Sequence, residues 1–101
     1  MEIHWTDGAL SLQRPEDFKA FKVVIHAAPS MNDKVMQDFD GTARFEGDQV
    51  CWVSQQALRG LAGALATPQW LENLDAMVSK ARSHGWIDDA TGDIRAHVER
   101  A

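Results

Sequence analysis

Arg44, Arg95, His4 and His97 are the side chains of this chain whose types suit holding an anion and moving a proton. Arginine offers a forked set of donors to a carboxylate or phosphate, and histidine exchanges a proton near neutral pH. All four fall on the polar side of alternating stretches. His4 sits between Ile3 and Trp5, and Arg44 between Ala43 and Phe45; Arg95, His97 and Glu99 alternate with Ile94, Ala96 and Val98. If these stretches are strands of one sheet, alternation brings them to one side, together with Ser11, Thr42 and Cys51. One chemistry this permits is a small anionic molecule held by Arg44 and Arg95. His97 would then act as general acid or base, with His4 in support. The competing reading is the solvated side of an open sheet, or a contact surface for a second copy to which Val53 and Cys51 would contribute.

Other reactive residues carry less. Cys51 lies mid-strand between Val50 and Trp52, away from any helix N-terminus, so a structural thiol is expected. His4, His26, His84 and His97 show no H-E-x-x-H spacing and there is no second cysteine, so no metal ligands are assigned. Asp88, Asp89 and Asp93 lack the alternating oxygens of a calcium loop and read as a solvated turn. Gly60 and Gly63 are not followed by the lysine of a phosphate loop; they read as close helix packing, and no cofactor is expected.

The elements that would position these residues begin with two hairpins. In the segment 3–12, a type I′ turn at Asp7-Gly8 sets Trp5 opposite Leu10, Ile3 opposite Leu12 and His4 opposite Ser11. In the segment 42–53, a type II′ turn at Gly47-Asp48 sets Phe45 opposite Val50, Ala43 opposite Trp52 and Arg44 opposite Cys51. Each ribbon then has one apolar and one polar side, and Ile3, Trp5, Leu10, Leu12, Phe45, Val50 and Trp52 are expected in the core. The alternation over 93–99 predicts a terminal strand, with a short helix as the competing pattern because Ile94 and Val98 are four apart.

Helices are expected near 15–28, 31–38, 54–65 and 67–84. Pro15 opens the first, and Phe18, Phe21, Val24, Ile25 and Ala28 recur at helical spacing, although Val23-Val24-Ile25 also suits a strand. Ser30, Ser54 and Thr67 are candidate caps for the others. In the last, Trp70, Leu74, Met77, Val78 and Ala81 form one stripe. Lys80, Arg82 and His84 suit its negative end, and Gly85 a left-handed stop that folds Trp86 back.

The whole predicts a single α+β domain over 1–101, an antiparallel sheet of about four or five strands with helices mainly on one face. A net charge of -5, with no basic run, argues against nucleic acid. The longest weakly apolar stretch, 60–66, falls far short of the ~20 residues of a membrane span. A lone cysteine and a start lacking a signal-peptide pattern fit the cytoplasm. The expected function is a small soluble binding or protein-interaction module, self-associating and without catalysis of its own. The alternative is the enzyme or ligand-binding protein built on Arg44, Arg95, His97 and His4.

Overall fold

Asp7 and Gly8 both adopt positive φ, 50° and 85°, as a type I′ turn requires. In the computed structural model, which describes residues 1–101, this turn joins β1 (Glu2–Thr6) to β2 (Ala9–Gln13). The register is the expected one: Ile3 opposite Leu12, His4 opposite Ser11, Trp5 opposite Leu10.

The second hairpin forms but is displaced by one residue. β4 (Ala43–Glu46) and β5 (Val50–Val53) are joined by a three-residue loop, 47–49, so Arg44 lies opposite Trp52 and Phe45 opposite Cys51. A one-residue slip moves every side chain of a strand to the other face. Cys51 and Val53 are therefore fully buried, whereas Val50 and Trp52, expected in the core, stand on the reverse face. The cause is in β5 itself. Val-Cys-Trp-Val is apolar on both sides, so its pattern does not select a register. The indole of Trp52 instead donates to the Glu46 carboxylate at 3.1 Å.

The helix expected over 15–28 does not form. Residues 14–21 are a loop, and β3 (Lys22–His26) follows. Val23 and Ile25 join the core cluster and Val24, on the other side, is also buried among its sheet neighbours, so apolar residues run continuously in this central strand rather than alternating. β3 is parallel to β1 on one side and to β6 (Ile94–Arg100) on the other. The sheet is thus mixed and six-stranded, in the order β2-β1-β3-β6-β5-β4, rather than an antiparallel sheet of four or five. β6 is the terminal strand that its alternation predicts, with Ile94, Ala96 and Val98 buried and Arg95, His97 and Glu99 exposed.

Three α-helices complete the fold: α1 (Asn32–Asp38), α2 (Gln55–Ala62) and α3 (Pro68–Ser83). The hydroxyls of Ser54 and Thr67 cap α2 and α3 by accepting from the N–H groups of Ala57 and Trp70. At the other end of α3, Gly85 turns at φ +78°, and Trp86 N–H donates to Ala81 O while Gly85 N–H donates to Arg82 O. That pair of bonds is a Schellman stop. Buried side chains of the helices, among them Val35, Leu58, Trp70, Leu74 and Val78, join one cluster with Ile3, Trp5, Val23, Ile25, Cys51 and Ala96. Each large side chain buried there contributes roughly 1.5–3 kcal/mol against exposure. The opposite face of the sheet carries no helix. No helix is long and apolar enough to cross a membrane.

Candidate functional site

β6 extends past the start of its parallel partner. The β3–β6 register begins at Lys22 opposite His97, so Ile94, Arg95 and Ala96 have no β3 residue beside them. With β5 on their other edge, they are flanked instead by the chain after α3: Ile87 bridges Ile94, and Arg95 N–H donates to Trp86 O at 2.8 Å. Between this stretch, the loop 18–21 and the last turns of α3 lies a groove of about 350 Å³. That volume falls in the range of small-molecule sites.

Each wall is held by identifiable bonds. The loop is pinned by the Met1 amine, which donates to the carbonyls of Asp17 and Ala20, each at 2.9 Å. Trp70 Nε1 donates to Pro15 O at 2.9 Å, and the ring of Phe18 packs on that indole at 5.9 Å. Asp17 accepts the N–H of Lys19, the main reason its carboxyl lies below the ordinary range. These contacts present Phe18, Lys19 and Phe21 to the groove from one side. Met77, Lys80 and Ala81 of α3 form a second wall, and Ile94, Arg95 and His97 of β6 a third. Trp86 stands at the rim, 45% exposed, its ring stacked on His84 at 4.5 Å.

The electrostatics of this groove differ from those of the rest of the surface. Of the ten Lys and Arg side chains, Arg14, Lys22, Lys34, Arg44, Arg59 and Arg82 are in ion pairs. Lys19, Lys80, Arg95 and Arg100 are not, and the first three line the groove together with His97. No lining residue is acidic. In a chain with fifteen carboxylate side chains, three unneutralised cations around one apolar hollow form a local positive potential. A shallower hollow adjoins it, sharing Phe18, Lys19, Met77 and Lys80 and carrying Glu16 and Asp17.

Of the four residues singled out in the sequence, Arg95 and His97 meet in this groove. Arg44, two strands away on β4, is held by Asp88 at 2.8 Å and by Asp93 at 4.0 Å, with its guanidinium 5.7 Å from the ring centre of Trp52. His4 lies elsewhere again. Its Nε2 bonds the Glu2 carboxylate at 2.8 Å, and its Nδ1 meets Nε2 of His26, also at 2.8 Å. The two rings are inclined by only 25° with centres 5.0 Å apart, the separation of rings joined edge to edge through one hydrogen bond. The result is a Glu2–His4–His26 chain of side-chain hydrogen bonds across β1 and β3. The bond from His4 is the leading reason the Glu2 carboxyl lies below its ordinary range.

Cys51 takes no part in either cluster. Its thiol is buried in the core, and burial pushes its pKa up to about 12, so the nucleophilic thiolate is suppressed. The residues that sequence reasoning left out are Lys19, Phe18 and Phe21, which read as helix, and Lys80, which read as a partner of the α3 dipole. His26 likewise falls within the helix expected over 15–28. Only the spacing of Glu2 and His4, two apart on one strand face, signalled their contact. No family model, curated protein or solved structure matches this chain.

Proposed function

We propose that this chain is a small binding module without catalysis of its own, and that it takes an organic anion with an apolar body into the groove beside β6. One observation carries this reading: three of the four Lys and Arg side chains without an ion-pair partner line the same apolar hollow. Unpaired cations flanking aromatic and aliphatic walls complement a molecule that is apolar over most of its surface and anionic at an end. Arg95 supplies the forked donors for the anion, His97 a further donor beside it, and Trp86 an aromatic face at the rim.

Calorimetric titration with phenylacetate and with neutral phenylacetamide tests this. Saturable binding of the carboxylate, weakened in Arg95→Gln by about tenfold, the worth of one charge-assisted hydrogen bond, supports it. Equal binding of the amide, or none of either, removes it. Val50 and Trp52 on the helix-free sheet face favour a second reading, in which another copy covers that face. A dimer mass in light scattering supports that reading, and a monomer at micromolar concentration removes it.

A further inference from the structure

The cations of the groove fall into two groups. Lys19 and Lys80 line both the groove and the neighbouring hollow, and so stand on the border between the two. Arg95 and His97 line only the groove, on its β6 wall. The apolar side chains of Phe21 and Ala81 line the groove alone. A single carboxylate drawn to Arg95 leaves the two ammonium groups at the border without a counter-charge inside the groove, since Glu16 and Asp17 line only the neighbouring hollow and Asp17 pairs with the Met1 amine. The reverse placement leaves Arg95 and His97 without a counter-charge.

We infer that the ligand of this groove is a dianion with its charges at opposite ends of an apolar, aromatic-sized body, one end held by Arg95 and the other by Lys19 and Lys80. The inference rests on the groove being the ligand site and goes further by naming the charge pattern. Such a molecule neutralises both cationic groups at once while its middle lies on the apolar lining, and neither end needs to be stripped of water without a partner. A compact dianion, with both charges on one phosphate, satisfies one group only.

Three probes separate the possibilities: phenylacetate, 1,4-phenylenediacetate and phenyl phosphate, each titrated against the parent chain and two variants. 1,4-Phenylenediacetate is expected to bind about tenfold more tightly than phenylacetate, since its second carboxylate adds charge-assisted bonds. The double variant Lys19→Gln, Lys80→Gln is expected to erase that advantage, weakening 1,4-phenylenediacetate about tenfold more than phenylacetate, whereas Arg95→Gln weakens both to a similar degree. All three positions are exposed, so the variants keep the fold, which circular dichroism checks. Equal binding of phenylacetate and 1,4-phenylenediacetate overturns the dianion and leaves the groove as an anion site. Phenyl phosphate binding as tightly as 1,4-phenylenediacetate also overturns it, because both charges would then sit at one end. Failure of all three probes to bind removes the groove reading as well.

Discussion

Arg44 and Arg95 occupy one row of the sheet with Trp52 between them, yet only Arg44 is neutralised. Trp52 pairs with Arg44 on β4 and with Arg95 on β6. The turn after α3 brings Asp88 and Asp93 to Arg44, and nothing comparable reaches Arg95. Two residues of one type on one face therefore have different roles: Arg44 ties β4 to the turn before β6, and Arg95 keeps its charge available.

That difference is measurable as stability. Arg44→Ala is expected to lower unfolding free energy by about 0.5–1 kcal/mol, as for half-exposed ion pairs screened by solvent. Arg95→Ala is expected to stay within about 0.5 kcal/mol of the parent, as for a surface residue with no partner. Urea denaturation of both variants checks this, and a larger loss for Arg95→Ala contradicts it.

Trp5 is buried, and its indole N–H has one partner, the Asp38 carboxylate at 2.8 Å. Asp38→Ala leaves that donor unsatisfied, a cost of about 1–3 kcal/mol. Asp38→Asn keeps an acceptor and is expected to recover most of the loss. Lys34→Ala, which removes only the exposed partner of Asp38, is expected to change little. Thermal melts of the three variants should fall in that order.

The first hairpin was legible because β1 is one-sided: Ile3 and Trp5 alternate with His4 and Thr6, so a single register buries the apolar pair. β5 offered no such choice, and its register is set by β6, whose Ala96 and Ile94 bring Cys51 and Val53 into the core. β3 was hidden for a related reason. A strand buried on both faces has no alternation, and Phe18 and Phe21 happen to continue Val24 and Ile25 at helical spacing. Half of the groove was legible as well. Arg95 and His97 follow from the alternation of β6, but Lys19 reaches the groove from an irregular loop fixed by backbone bonds to Met1 and Trp70. Local pattern carries no record of such long-range bonds. The pairing of His4 with His26 likewise depends on β1 lying beside β3, a contact between strands with no local signature.

Cys51 is expected to be inert in the folded chain. Its thiol combines complete burial with a pKa pushed up to about 12, so both access and thiolate are lacking. Alkylation by iodoacetamide should therefore be slow in buffer and accelerate along the urea unfolding curve. Rapid alkylation of the folded protein contradicts this.

Acid should destabilise the fold through Glu2 and Asp88. The Glu2 carboxyl is lowered first by its bond from His4, then by Lys22 and Arg14. That of Asp88 is lowered first by the Ala90 N–H, then by Thr91 and Arg44. A carboxyl with a lower pKa in the folded state takes up its proton more readily in the unfolded chain, so protonation favours unfolding. The contribution is complete above the ordinary carboxylate range near about pH 4 and is lost as pH falls through the lower folded values. The melting temperature is expected to fall between about pH 5 and pH 2, and less steeply in the double variant Glu2→Gln, Asp88→Asn. An unchanged slope in that variant contradicts the assignment.

The groove itself is tested most directly by an amide-resolved NMR titration of the parent chain with phenylacetate. Saturable shifts are expected at Phe18–Phe21, Met77–Ala81, Trp86 and Ile94–His97, the three walls and the rim, with Arg44, His4 and His26 unmoved. Shifts centred on Arg44 or on the His4–His26 pair, or no saturable shift at all, contradict an anion site beside β6.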